Sequence, residues 1–103
     1  MTEEERAPLV CSLTADERVD RGRWLGRVGR AARDSAYDGA GVTIRFRAGE
    51  GVEAELRELA AAEAKCCPFL TLEVRANGDE LELRVEGPPD ARPIIEEFCK
   101  QLV

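Results

Sequence analysis

The chain has 103 residues, of which 44 % are hydrophobic and 35 % charged, with a net charge of −6 and no histidine. That length fits one domain around one small core. The acidic surplus argues against binding nucleic acid through phosphate contacts, each of which needs an uncompensated Lys or Arg, and the missing imidazole excludes Cys–His catalysis and histidine-containing zinc sites.

Residues 1–7 read as a frayed acidic tail, followed by a single domain over residues 8–103. The opening "MTEEERAPLV" lacks the basic and apolar regions of a secretory signal, and no apolar run reaches the ~18 residues a membrane span needs. The expected location is therefore the cytoplasm, where thiols stay reduced, so the four cysteines are expected as thiols or metal ligands rather than disulfides. "APLVCSL" is a strand or an extended lead-in. Thr14-x-x-Glu17 has the spacing of a capping box and opens a helix predicted over 15–33, with Val19, Leu25, Val28 and Ala32 as its inner stripe. Gly22, Gly26 and Gly29 weaken that helix or let it pack closely. Arg18, Arg21, Arg23, Arg27, Arg30 and Arg33 crowd the same segment and read as a solvated face.

"DSAYDGAG" reads as a turn-rich connection. "VTIRFR" alternates strictly, placing Val42, Ile44 and Phe46 on one face of a strand. A second helix is predicted over 52–66, with Val52, Leu56, Leu59 and Ala60 buried. Leu70, Leu72 and Val74 then alternate with polar residues, as do Leu81, Leu83 and Val85, and Asn77-Gly78 between them signals a tight hairpin. Asp90 is the expected N-cap of a last helix that tolerates Pro93 in its first turn and turns Ile94, Ile95, Phe98 and Leu102 inward. The fold class is α+β: a two-layer sandwich in which two or three helices cover one face of a three- to four-stranded, mostly antiparallel sheet.

The chemistry concentrates in "AAAEAKCCPFLTLEV", residues 61–75. Continuing the inner stripe of the second helix past Ala60 reaches Glu63, Cys66 and Cys67. A carboxylate three and four residues before two thiols shares their side of the helix, and a buried carboxylate is costly unless it is paired or functional. Consecutive Cα atoms stand only ~3.8 Å apart, closer than a relaxed disulfide prefers, so a Cys66–Cys67 bond would be strained. Pro68 biases Cys67 away from helical geometry. Thiolates without histidine suit soft ions: Hg(II), Cu(I) or As(III) in linear or trigonal coordination fits better than four-cysteine zinc, for which no C-x₂-C knuckle is present. Cys11, just before the capped helix start, is the candidate third ligand. Cys99, beside Phe98, reads as core. The alternative is that Cys66 and Cys67 also pack as small hydrophobes.

These residues also resemble a known family. "CSLTADERVDRGRWLGRV", "LAAAEAKCCPFLTLEV" and "LELRVEGPPDARPIIEEF" together resemble a small bacterial "ECCPF"-type cysteine domain, found alone or appended to MerR-type regulators and associated with mercury and other soft-metal resistance. The likeness runs from about Pro8 to Phe98. Its sharpest motif is Glu63-x-x-Cys66-Cys67-Pro68-Phe69, with Cys11 in the "CSL" element; Cys99 is not part of the pattern. The resemblance implies a metal- or metalloid-responsive thiol site for sensing, sequestration or transfer. It implies no regulator's role here, because no DNA-binding helix-turn-helix accompanies it. Two other functions stay open: an organomercurial-lyase-like enzyme holding the metal on two cysteines with Glu63 as proton donor, and an interaction module whose cysteines are purely structural. No organic cofactor is called for. Self-association or a protein partner stays open.

Overall fold

In the computed structural model, which describes residues 13–102, helix α1 runs over Ala15–Val28. Thr14 caps it as its spacing predicts: its hydroxyl accepts from the Glu17 N–H at 3.2 Å, and the Glu17 carboxylate accepts from the Thr14 N–H at 2.8 Å. A 3₁₀ turn, Gly29–Ala31, leads into strand β1, Ala32–Tyr37, which forms a hairpin with β2, Gly41–Arg47. Helix α2 spans Val52–Cys66, and a second hairpin joins β3, Thr71–Asn77, to β4, Glu80–Glu86. After a 3₁₀ turn at Pro89–Ala91, helix α3, Arg92–Leu102, completes the order.

The sheet is antiparallel throughout, in the order β1-β2-β4-β3. Helix α2 thus carries the chain from β2 over β4 to the far edge, leaving a slot that β4 fills. Val42, Ile44 and Phe46 stand opposite Val85, Leu83 and Leu81, and all six are buried. Period-2 alternation makes this face apolar and leaves Thr43, Arg45, Arg84 and Glu82 on the other. Helix α2 packs on β3 and β4, α3 packs on β2, and α1 lies against both helices. Leu56, Leu59, Ile95, Phe98 and Leu25 bring the three helices into one core with the sheet.

Several expectations need correction. The first helix stops at Val28 rather than residue 33, and Ala32 belongs to a strand. The stop has a steric reason: a Cβ at Gly29 would strike the Leu102 backbone, so the chain turns there against the end of α3. Val19, expected inside, is 54 % exposed. The first half of the "turn-rich" stretch belongs to β1, whose "ARDSAY" shows no apolar alternation because an edge strand is held by main-chain bonds to one neighbour and is largely exposed. The second hairpin turns one residue later than expected. Asn77 pairs with Glu80, so Gly78 and Asp79 form the loop. Gly78 takes the positive φ of 64°, the requirement for the first central position of a type II′ turn. Asp90 lies inside the 3₁₀ turn rather than capping α3, and Ile94 is half-exposed while Ile95, Phe98, Cys99 and Leu102 are buried.

Candidate metal centre

The last turn of α2 assembles the site. Leu56, Leu59, Ala60, Glu63 and Cys66 are its buried residues, so Glu63 continues the apolar stripe as the sequence predicts. Pro68 follows two residues after the helix ends at Cys66. The steric demand of its ring on the preceding residue disfavours helical geometry, and Cys67 adopts φ −126°, ψ 73°. Its N–H still donates to the Glu63 carbonyl at 2.7 Å, and its own carbonyl accepts from Leu70 at 2.9 Å. The backbone around the two cysteines is therefore fixed from both sides.

This geometry brings three donor groups together. Glu63 Oε2 lies 3.7 Å from Cys66 Sγ and 3.8 Å from Cys67 Sγ, and the two sulfurs are 3.7 Å apart. One ligand atom from each residue lies within 4.8 Å of the others, and all three residues are buried. The remaining Glu63 oxygen, Oε1, accepts from Arg21 Nη1 at 2.6 Å. Arg21 Nη1 is also 3.7 Å from Cys66 Sγ, and its guanidinium stands 5.6 Å from the centre of the Trp24 ring.

The electrostatics follow from burial and these neighbours. Burial pushes the Cys66 thiol above its ordinary 9.0 and the Glu63 charge pushes it further, while Arg21 pulls it down without cancelling them. For Arg21, burial acts to lower the pKa, but the hydrogen bond and charge of Glu63 outweigh it and the net shift is upward. Cys66 and Cys99 are free thiols. Cys67, by contrast, is disulfide-bonded, a correction to the expectation that the cysteines are thiols. Engaging Cys67 as a thiolate therefore requires reduction of that bond.

Glu63, Cys66 and Cys67 thus converge as the sequence predicts. Cys11, the candidate third ligand, lies outside the described residues. Cys99 sits apart in the core, 4 % exposed. The residue that sequence reasoning missed is Arg21, grouped with the solvated arginines although its side chain is only 15 % exposed. A signal existed: Arg21, Leu25 and Val28 fall at i, i+4 and i+7, the spacing of one helix face, and a buried carboxylate on α2 calls for a cation.

A cavity of ≈ 410 Å³ adjoins the cluster, with Glu63, Cys67 and Arg21 on its wall and Leu25, Leu70 and Phe98 among its apolar lining. Among the described residues no helix is long and apolar enough to cross a membrane. Compared with family models, curated proteins and solved structures, the chain finds no match.

Proposed function

We propose that the reduced chain binds one soft metal or metalloid centre through the sulfurs of Cys66 and Cys67, with the free oxygen of Glu63 as a further donor. The observation that carries this is the convergence of two sulfurs and a carboxylate within 4.8 Å in a buried position. Sulfur donors select soft ions. Two bonds of ~2.3 Å, the length typical of a zinc–thiolate bond, span the 3.7 Å between the sulfurs at an angle of roughly 105°. That angle suits bent, three-coordinate binding rather than the linear arrangement.

Charge narrows the guest further. Two thiolates and the Glu63 carboxylate against the Arg21 guanidinium leave two negative charges in a buried site. A doubly charged centre neutralises them, whereas a singly charged one leaves a buried net charge, which is costly. Hg(II) and divalent arsenic(III) units therefore suit the site better than Cu(I). The resemblance to a cysteine domain of soft-metal resistance supports the same reading, with a cytoplasmic role in sensing, sequestration or transfer.

One Glu63 oxygen is held by Arg21 at 2.6 Å and the other faces both sulfurs, an arrangement that places the carboxylate as a donor to a bound centre. Binding is therefore preferred to catalysis. In the test, protein reduced with a phosphine is titrated with Hg(II) while the thiolate-to-mercury ultraviolet absorbance is followed. One equivalent should saturate the wild type, and the Cys66→Ser/Cys67→Ser double variant should lose that phase. An identical response from both proteins, with the variant folded by circular dichroism, would overturn the proposal in favour of core cysteines.

A further inference from the structure

A bare ion needs little more than its donors, yet the cluster opens onto a chamber far larger than an ion. Its ≈ 410 Å³ are bounded by Leu13, Leu25, Leu70, Ile94 and Phe98, with Cys67 and Glu63 on the same wall. The site is a half-open groove whose rim also carries Arg18 and Glu97, and its volume exceeds the about 150 Å³ of an apolar cavity that holds benzene. The chamber therefore has the size for an organic group, and its wall carries Cys67 and Glu63, with the Cys66 sulfur 3.7 Å behind that of Cys67.

Resting on the metal-binding reading above, we propose that the guest is a soft centre bearing one organic substituent: a monoorganyl arsenic(III) unit, with arsenic on Cys66 and Cys67 and its aryl or alkyl group in the chamber. Three observations converge on this class. The bent angle demanded by the 3.7 Å sulfur separation leaves a third bond for carbon. Arsenic(III) with one carbon substituent presents two positive valences to the protein, matching the two negative charges left after Arg21 pairs with Glu63. The substituent then buries apolar surface against Leu25, Leu70 and Phe98, worth about 25 cal/mol per Å² removed from water.

The chemistry is an exchange without electron transfer. An organylarsonous acid, RAs(OH)₂, meets two cysteine thiols; two As–S bonds form, two As–O bonds break, and the thiol protons leave with the hydroxyls as two waters. The only redox requirement precedes binding: the Cys67 disulfide takes two electrons from a phosphine, while water supplies the two protons and its oxygen leaves as the phosphine oxide.

The experiment compares phenylarsine oxide with arsenite on the phosphine-reduced full chain, by calorimetry and by intact mass, with dithiothreitol as a reference that has thiols but no chamber. The ratio of affinities, phenyl over arsenite, should exceed the ratio on dithiothreitol at least tenfold. It should rise from methyl to phenyl substituents. Ile94→Trp, which narrows the chamber at a half-exposed position, should lower phenylarsine oxide affinity about tenfold and leave arsenite unchanged, arsenite binding also serving as the check that the variant folds. A ratio equal to that on dithiothreitol, flat across the substituent series, would overturn the organyl proposal while leaving metal binding intact. Failure of both probes to bind through Cys66 and Cys67 would overturn both.

Discussion

Arg21 and Glu63 are the residues on which the site depends. Their side chains are 15 % and 5 % exposed and meet at 2.6 Å, so each offsets the desolvation of the other. Removing one partner of a buried pair leaves an uncompensated charge, which typically costs about 3–5 kcal/mol. Arg21→Met, which keeps much of the aliphatic packing, should lower urea-unfolding stability by about 3 kcal/mol, and adding Glu63→Gln should recover part of that loss. A loss near zero for the single variant would show that solvent reaches the pair. Tyr37 supplies a second test at this scale, since it is the chain's one tyrosine. Its hydrogen bond to Cys99 pushes the phenol up to about 12, burial and the negative groups of Cys99 and Glu96 add to the rise, and Arg92 opposes them. The Arg92 guanidinium lies 4.7 Å from the centre of the same ring. A raised acid pKa means that the folded state holds the proton more tightly. The stabilisation is fully present below pH ~10, the ordinary phenol value, and is lost as pH rises through the folded value near 12. Absorbance of tyrosinate near 295 nm should therefore titrate well above 10; a midpoint at 10 would remove the contact from solution.

At the scale of the elements, glycine placement separates strain from slack. Gly41 begins β2 where a Cβ would run into the Val85 carbonyl and Glu86 Cα of β4, whereas a Cβ on Gly26, exposed in α1, meets nothing within 4 Å. Gly41→Ala should therefore cost about 1–3 kcal/mol through overpacking. Gly26→Ala should stabilise α1 by up to about 1 kcal/mol, since glycine is a poor residue in a helix interior. Urea denaturation of the two variants should shift the midpoint in opposite directions; a shared direction would contradict the β2–β4 register. The same local physics shapes the site. Pro68 ends α2 next to Cys67, and the resulting turn, rather than a continued helix, sets the sulfurs 3.7 Å apart.

Across the whole molecule, the helix layer does two jobs. Helix α2 and α3 cover the apolar face of the sheet, and α1 rests on both. The chamber lies where the three helices meet, since its lining draws Arg21 and Leu25 from α1, Glu63 from α2 and Phe98 from α3. No single element carries both the donors and the apolar wall. The Arg21 guanidinium reaches Glu63 across 42 positions of sequence, so the charge balance of the site exists only when α1 is docked. A guest bound at the cluster, as proposed, would therefore stabilise the packing of α1.

The sequence by itself determined the α+β class, the capped start of α1, the extent of α2 and the shared face of Glu63, Cys66 and Cys67. Each of these follows from periodicity or from a short-range steric rule, and such information is local. Only the tertiary structure decided that Arg21 turns inward, that "ARDSAY" pairs as an edge strand, and that an apolar chamber adjoins the sulfurs. Those outcomes depend on contacts between residues far apart in the chain, where main-chain pairing and charge compensation leave no periodic trace in the segment concerned. The oxidised state of Cys67 belongs with them, because a disulfide is a property of two positions brought together in space.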